Sequence, residues 1–177
     1  MLVVPAGVDD GVVNHAAHFR VHARVPTLCY HHEPSKACLC RSSQPRPGWL
    51  GKVNESDQEL IQAFADCAAK KTLRIVDCRG AGSALSMRLR RQGTELPADY
   101  PATERSFLGL PDMHAVRKSQ ELLFACCFSV RDEEHLHSSR AKTGMLKRSG
   151  WLQMVGALIA AAGQVCVGAA LPSLEFG

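Results

Sequence analysis

Arg24-Val-Pro-Thr-Leu-Cys-Tyr30 and Cys38-Leu-Cys-Arg-Ser-Ser-Gln-Pro45 are the two runs whose reading decides the fold. Both are apolar at their centres, and Glu33-Pro34-Ser35-Lys36 lies between them. Proline presets φ for a turn, so the pair predicts a β-hairpin with strands near 24–31 and 37–42. Further out, Leu73-Arg-Ile-Val-Asp77 alternates as a third strand, and Arg105 to Leu110 reads as a fourth. Ser56-Asp-Gln-Glu59 is a capping box, which predicts a helix over 57–70 with Leu60, Ile61, Phe64 and Ala68 on one face. Other helices are expected over 82–91, over 113–128 with Val116, Leu122, Leu123 and Cys126 inward, over 132–141, and from Trp151 onward. Residues 1–19 carry no periodicity and read as an irregular lead-in, while 43–54, with Pro45, Pro47, Gly48 and Gly51, reads as a loop. Strands alternating with helices imply an α/β fold, a mixed sheet flanked by helices.

The chain has 177 residues, enough for one domain or a piece of a larger one. Its 46% hydrophobic content is too high for a disordered segment. A net charge of +4 suits weak attraction to anionic lipid or phosphate and is too mild to indicate a nucleic-acid partner. The basic runs Arg88-Leu-Arg-Arg91 and Lys142 to Arg148 read as solvated helix faces. Of 8 cysteines, Cys67, Cys126, Cys127 and Cys166 sit in apolar runs, where a thiol behaves as a small hydrophobe. The start, Met1-Leu-Val-Val-Pro5, lacks the features of a signal peptide, so a cytoplasmic setting is expected. No charge occurs from Ser149 to Leu174, a length that would span a bilayer. The spacing of Trp151, Leu152, Val155, Leu158 and Ile159 instead marks a helix burying one face in a protein core.

The hairpin and its Cys/Arg/Ser/Gln/Pro block resemble the opening of the phosphatase domain of the myotubularin family, which removes the 3-phosphate from phosphoinositide lipids. The likeness continues in order along the chain. Asp77 and Arg79 resemble the family's Asp-x-Arg-Pro element, with Gly80 in place of proline. Gly93, Glu95 and Tyr100 fit the glycine-rich loop that follows. Phe107-Leu108, Met113-His114, Arg117 and Ser119 resemble the family's strand and its Asn-Ile-His-x-Met-Arg-x-Ser block. Ser149-Gly150-Trp151-Leu152 is similar to the Ser-x-Trp-Leu that starts the helix before the catalytic strand. The resemblance covers residues 20–165 and leaves 166–177 as a divergent tail.

The resemblance implies an incomplete cysteine-phosphatase-like domain, the front half without its catalytic loop. Where the family has His-Cys-Ser-Asp-Gly-Trp-Asp-Arg, this sequence reads Val165-Cys-Val-Gly-Ala-Ala-Leu-Pro-Ser173. The lipid-binding module that precedes the domain in the family is also missing from the sequence. Met87 and Asp112 stand where the family has phosphoinositide-contacting asparagines. Methionine is a poor hydrogen-bonder and aspartate repels phosphate. Asp112, Met113 and Arg117 are the weak substrate-binding candidates, and Arg79 is a structural or rim residue. No catalytic residue, cofactor or metal is assigned. The reading is an inactive relative that acts as a regulatory or binding partner, paired with an active myotubularin-like protein or with its own copy, at a phosphoinositide membrane surface. The alternative is a fragment or splice form of an active phosphoinositide 3-phosphatase.

Three local patterns compete with this reading. Cys40 and Arg46 have the C-x5-R spacing of a phosphatase loop, but Arg-Ser-Ser-Gln-Pro between them holds no glycine, and Pro45 removes an N–H from any phosphate cradle. Cys29, His31, His32, Cys38 and Cys40 offer zinc-type ligands on a hairpin, the basis of a second alternative, a small zinc-binding protein using 29–40. Alternate strand positions share a face in any hairpin, which is the plainer explanation. Gly80-Ala-Gly82 lacks the remaining parts of a dinucleotide loop, Asp112 reads as a helix N-cap, and Glu133, Glu134, His135 and His137 read as a solvated run.

Overall fold

A computed structural model describes residues 2–47, 51–68, 70–88, 93–128 and 139–170. The chain divides into two compact units, one built mainly by the residues up to Leu108 and the other by Gly109–Gln164.

The first unit opens on a helix where the sequence predicts an irregular lead-in. Helix α1 spans Asp10–Phe19, and Asp9 caps it by accepting a 2.9 Å hydrogen bond from the Val12 N–H. Val12, Val13, Ala16 and Ala17 recur at helical spacing, with Asn14 and His15 between them and His18 after them, which dilutes the periodicity. Ala16 joins Val25 and Leu60 in the core, flanked by Val8, Val12, Val13, Ala17 and Phe64.

The hairpin forms as expected. Strands β1 (Thr27–His32) and β2 (Ala37–Arg41) pair antiparallel. β1 begins after Pro26, which has no N–H to give to a ladder. The turn closes with Lys36 at φ 56° and with a 2.6 Å hydrogen bond between the Ser35 hydroxyl and His32 Nδ1.

Helix α2 (Glu55–Cys67) forms two residues earlier than expected because its cap is Asn54, not Ser56. The Asn54 side chain accepts 2.8 Å from the Asp57 N–H, so Ser56 lies inside the first turn. Leu60 and Ile61 face the core and Phe64 flanks it, as the spacing requires; Ala65 joins them, whereas Ala68, placed on that face by the spacing, is the extended C-cap beyond the helix. Strand β3 (Leu73–Asp77) matches its prediction, helix α3 spans Ala81–Arg88, and β4 spans Thr103–Phe107. β4 ends earlier than predicted, before Gly109 at φ 66°. β3 and β4 pair in parallel, with Asp77 opposite Phe107. The structure is α/β, but among the described residues the expected mixed sheet is two separate two-stranded sheets.

The second unit is helical. Helix α4 (Met113–Phe128) is capped by Asp112, whose carboxylate accepts 2.8 Å from the Ala115 N–H. Its inward face runs Val116, Ser119, Leu123 and Cys126, and Leu122 is exposed, not inward as predicted. Helices α5 (Ser139–Ser149) and α6 (Trp151–Ala170) meet at Gly150, φ 69°, with a 51° bend between them. The buried Ser119 hydroxyl donates 2.7 Å to the Ser149 carbonyl and ties α4 to this corner. On α6 the inward face is turned from the predicted stripe: Met154 and Ala161 are buried, whereas Leu152, Leu158 and Ile159 (68%) are exposed. Among the described residues no single helix is long and apolar enough to cross a membrane, though the bent pair Thr143–Ser149 and Trp151–Cys166 passes that test together. The 132–138 part of the predicted 132–141 helix, the Glu133–His137 run, Leu89-Arg-Arg91 and residues 171–177 lie outside the described residues.

Candidate functional site

The only C-x5-R spacing in the sequence does not build a phosphate loop. Cys40 lies within β2, opposite Leu28. Its thiol is pushed up to about 11 by burial and then by the neighbouring thiols of Cys38, Cys29 and Cys67. A nucleophilic cysteine needs the opposite shift. The backbone after it is already used: the Ser43 N–H donates 3.0 Å to Arg24, the Arg46 N–H donates 2.8 Å to Phe19, and Pro45 bridges to Arg20. No run of free N–H groups remains to hold an anion there.

The zinc arrangement also fails. Among the described residues no three histidine, cysteine or acidic side chains are grouped to hold a metal. His31 Nδ1 is 3.2 Å from Glu33, and His32 is taken by Ser35.

The most tightly built site is one the sequence reading did not find. Arg20, just past α1, has a fully buried side chain (0% exposed). Its Nε and Nη2 donate to the two carboxylate oxygens of Asp57 at 2.7 and 2.8 Å, a bidentate pair. Nη1 donates to Glu95 at 2.7 Å, to the Ser42 hydroxyl at 3.0 Å and to the Ser43 carbonyl at 2.8 Å. The Tyr100 hydroxyl donates 2.7 Å to Asp57. Burial opposes the guanidinium charge, but the hydrogen bond and charge of Asp57, with Glu95, outweigh it and raise its pKa. One cation faces two carboxylates. The surplus negative charge is eased by the Tyr100 hydroxyl and by the position of Asp57 in the first turn of α2, at the positive end of the helix dipole. Burial, and then the Asp57 charge, raise the Tyr100 pKa, so its proton stays in place.

A second arginine holds the same loop. Arg79 grips Asp77 through Nε at 2.9 Å and Nη2 at 2.6 Å, and its N–H caps the same carboxylate at 2.9 Å. Its Nη2 also reaches the Gly93 carbonyl at 3.2 Å. The hydrogen bond it donates to Asp77 leads the causes that raise its pKa. Arg105 holds Thr94 and donates 2.8 Å to the Glu95 carbonyl, with its guanidinium 4.9 Å from the Phe107 ring centroid. Gly93 is packed where a Cβ would sit 2.6 Å from Pro47, so glycine is needed there. The loop from Gly93 is thus pinned by Arg79, Arg105 and, through Glu95, Arg20. Asp112, Met113 and Arg117 stand together at the start of α4 in the other unit. Met113 is 78% exposed, Arg117 is exposed, and the Asp112 carboxylate is occupied as a cap.

A model of the myotubularin-like phosphatase domain matches residues 1–170. The chain belongs to the myotubularin-like phosphatase family. It is 33% identical over 150 residues to the Caenorhabditis elegans protein named phosphatidylinositol-3,5-bisphosphate 3-phosphatase MTMR3, covering 82% of this chain and 15% of that protein. It is 32% identical over 136 residues to the mouse protein named phosphatidylinositol-3,5-bisphosphate 3-phosphatase MTMR2, covering 76% and 21%. It is 30% identical over 159 residues to the Arabidopsis thaliana protein named phosphatidylinositol-3-phosphatase myotubularin-2, covering 85% and 18%. The chain thus spans only about a quarter or less of the length of the curated relatives it matches.

Within this myotubularin-like chain the sequence blocks become physical ties. The buried Arg20 joins the exit of the hairpin at Ser42 and Ser43 to the capped start of α2 and to the Gly93–Tyr100 loop. The Met113–Ser119 block and the Ser149–Leu152 block meet through Ser119 and Ser149. Arg20, Asp57, Glu95 and Tyr100 escaped notice as a set because 37 and 75 residues separate Arg20 from its two carboxylates, and no local period spans that. The signals in the sequence are separate ones: Asp57 three places before Leu60 in the first turn of a helix, and Glu95 and Tyr100 in the loop that the family resemblance marks.

Proposed function

We propose that these 177 residues are the front part of a cysteine-phosphatase domain of myotubularin type that does not itself cleave phosphate and serves as a regulatory or binding partner. The observation that carries this is Cys40, the cysteine of the only C-x5-R spacing, placed in a strand with its thiol pushed up to about 11. The names of the matched relatives point to 3-phosphorylated phosphoinositides as the chemistry of the wider domain. The partner under this proposal is an active myotubularin-like protein or a second copy of the chain, at the cytoplasmic face of a phosphoinositide-bearing membrane. Asp112, Met113 and Arg117 are the positions proposed to lie toward the headgroup, with Asp112 opposing tight phosphate binding.

The test is phosphate release from short-chain phosphatidylinositol 3-phosphate and 3,5-bisphosphate. The expected result is no release above blank, unchanged in Cys40→Ser. Release that vanishes in Cys40→Ser overturns the proposal and makes Cys40 the nucleophile. A second reading, a piece of a longer and working 3-phosphatase, is favoured by the 15–21% share of the relatives that the chain spans. Under that reading the same assay shows release only when residues supplying a competent loop follow the segment.

A further inference from the structure

The hairpin brings thiols together in a way that its alternation alone does not. Successive pairs in the register are Leu28 with Cys40 and Tyr30 with Leu39. β1 therefore takes two steps where β2 takes one, and Cys29 is the extra residue of a β-bulge. At such a bulge two residues of one strand oppose a single residue of the other. Leu28 and Cys29 thus both oppose Cys40, and Cys29 falls on the face that also carries His31, Cys38 and Cys40. Cys38 and Cys29 both lie near enough to Cys40 to contribute to its raised pKa, after burial.

We propose that Cys29 and Cys40 form a reversible disulfide across the bulge, a modification site distinct from any phosphatase chemistry. The geometry selects this pair. A disulfide needs Cα atoms about 4.4–6.8 Å apart and Cβ atoms about 3.5–4.5 Å apart. Directly opposed residues of an antiparallel pair are about 4.5–5.5 Å apart. Cys38 and Cys40 lie two steps apart on one strand, about 6.6 Å with parallel Cα–Cβ bonds, which holds their sulfurs apart. Cys38 faces His31 directly, not a cysteine. Exposure sets the order of events, since Cys29 is exposed and Cys40 half-buried.

The oxidant is a small-molecule disulfide such as glutathione disulfide. The Cys29 thiolate attacks one of its sulfurs, the S–S bond breaks, and one glutathione leaves as a thiolate that takes up a proton. Cys40 then releases its proton to solvent and attacks Cys29 Sγ, and the second glutathione leaves. Two thiols become one disulfide, and two electrons and two protons end on two glutathione molecules. The product staples the strand carrying the bulge to β2.

The test uses the reduced full chain, incubated with millimolar glutathione disulfide, alkylated and digested with trypsin. Cleavage after Arg24, Lys36 and Arg41 separates Val25–Lys36, which holds Cys29, from Ala37–Arg41, which holds Cys38 and Cys40. The expected result is one cross-linked species joining these two peptides. It persists in Cys38→Ser, disappears in Cys40→Ser and Cys29→Ser, and reverts with dithiothreitol. The oxidised chain should also melt several degrees higher than the reduced one. A link that persists in Cys40→Ser and disappears in Cys38→Ser overturns the assignment. So does oxidation that stops at glutathione adducts on Cys29 in a wild-type chain that melts cooperatively.

Discussion

Asp57→Ala lowers the unfolding free energy by about 3–5 kcal/mol, the range for removing one partner of a buried ion pair. Arg20 and Asp57 both have side chains at 0% exposure, so water cannot replace the lost carboxylate. The variant leaves Nε and Nη2 of Arg20 without acceptors, and it leaves the Tyr100 hydroxyl without its own. Only Glu95, at the edge of the site, still balances the cation. A typical domain holds about 5–15 kcal/mol, so this loss is about a fifth of the whole or more. Asp57→Asn separates charge from shape, since it keeps an acceptor of the same size. It should fall between wild type and Asp57→Ala in urea denaturation. Equal midpoints for wild type and Asp57→Ala would remove Arg20 from the centre of the fold.

Leu60→Ala is the second large effect, with an expected loss of about 2–5 kcal/mol. Leu60 is fully buried and packs with Ala16 and Val25, with Val12, Val13 and Phe64 at the margin. Its neighbours on the core side are small or β-branched and cannot collapse far into the space left. Truncation therefore removes transfer energy and leaves a cavity where α1 meets α2. Ile61→Val, on the same helix, removes one methylene and should cost about 0.5–1.5 kcal/mol. Urea midpoints for the two variants check the ratio. A Leu60→Ala loss no larger than that of Ile61→Val would mean that α1 does not pack on α2 in solution.

Both effects depend on an element that composition hides. Helix α1 has an Asp9 cap and apolar residues at Val12, Val13 and Ala16, but Asn14, His15 and His18 interrupt the run, and its buried residue is only an alanine. Periodicity weighs large apolar side chains, so a helix that packs through alanine is easy to miss. The hairpin, β3 and α4 were legible because each carries its own local signal. These are a proline turn at Pro34, alternation from Leu73 to Asp77, and a cap at Asp112 followed by a helical run. Two-stranded sheets in place of one mixed sheet were not legible, because strand order is a long-range property. The inward face of α6 was misjudged for a similar reason. Its apolar residues almost encircle the helix, so no single stripe stands out, and Met154 and Ala161 are the ones that are buried. The Arg20 site is not legible as a set, because it joins residues from four separate segments and no local pattern links them.

Cys40 is a strand residue and not a phosphatase nucleophile, and its thiolate titration decides between the two roles. In a chain whose other cysteines are replaced by serine, the rate of Cys40 alkylation by iodoacetamide is followed from pH 5 to pH 12. Burial and, in the wild type, nearby thiols disfavour the thiolate, with the wild-type thiol pushed up to about 11. The raised value means that the neutral thiol persists through and above the ordinary cysteine range, and that the thiolate forms only as pH nears about 11. Removing the other thiols lowers the midpoint somewhat, since their charges no longer oppose it, but burial, the larger cause, remains. The expected midpoint lies above the ordinary value of about 8.5, with no protection by vanadate. A midpoint below about 7 with protection by vanadate would contradict it.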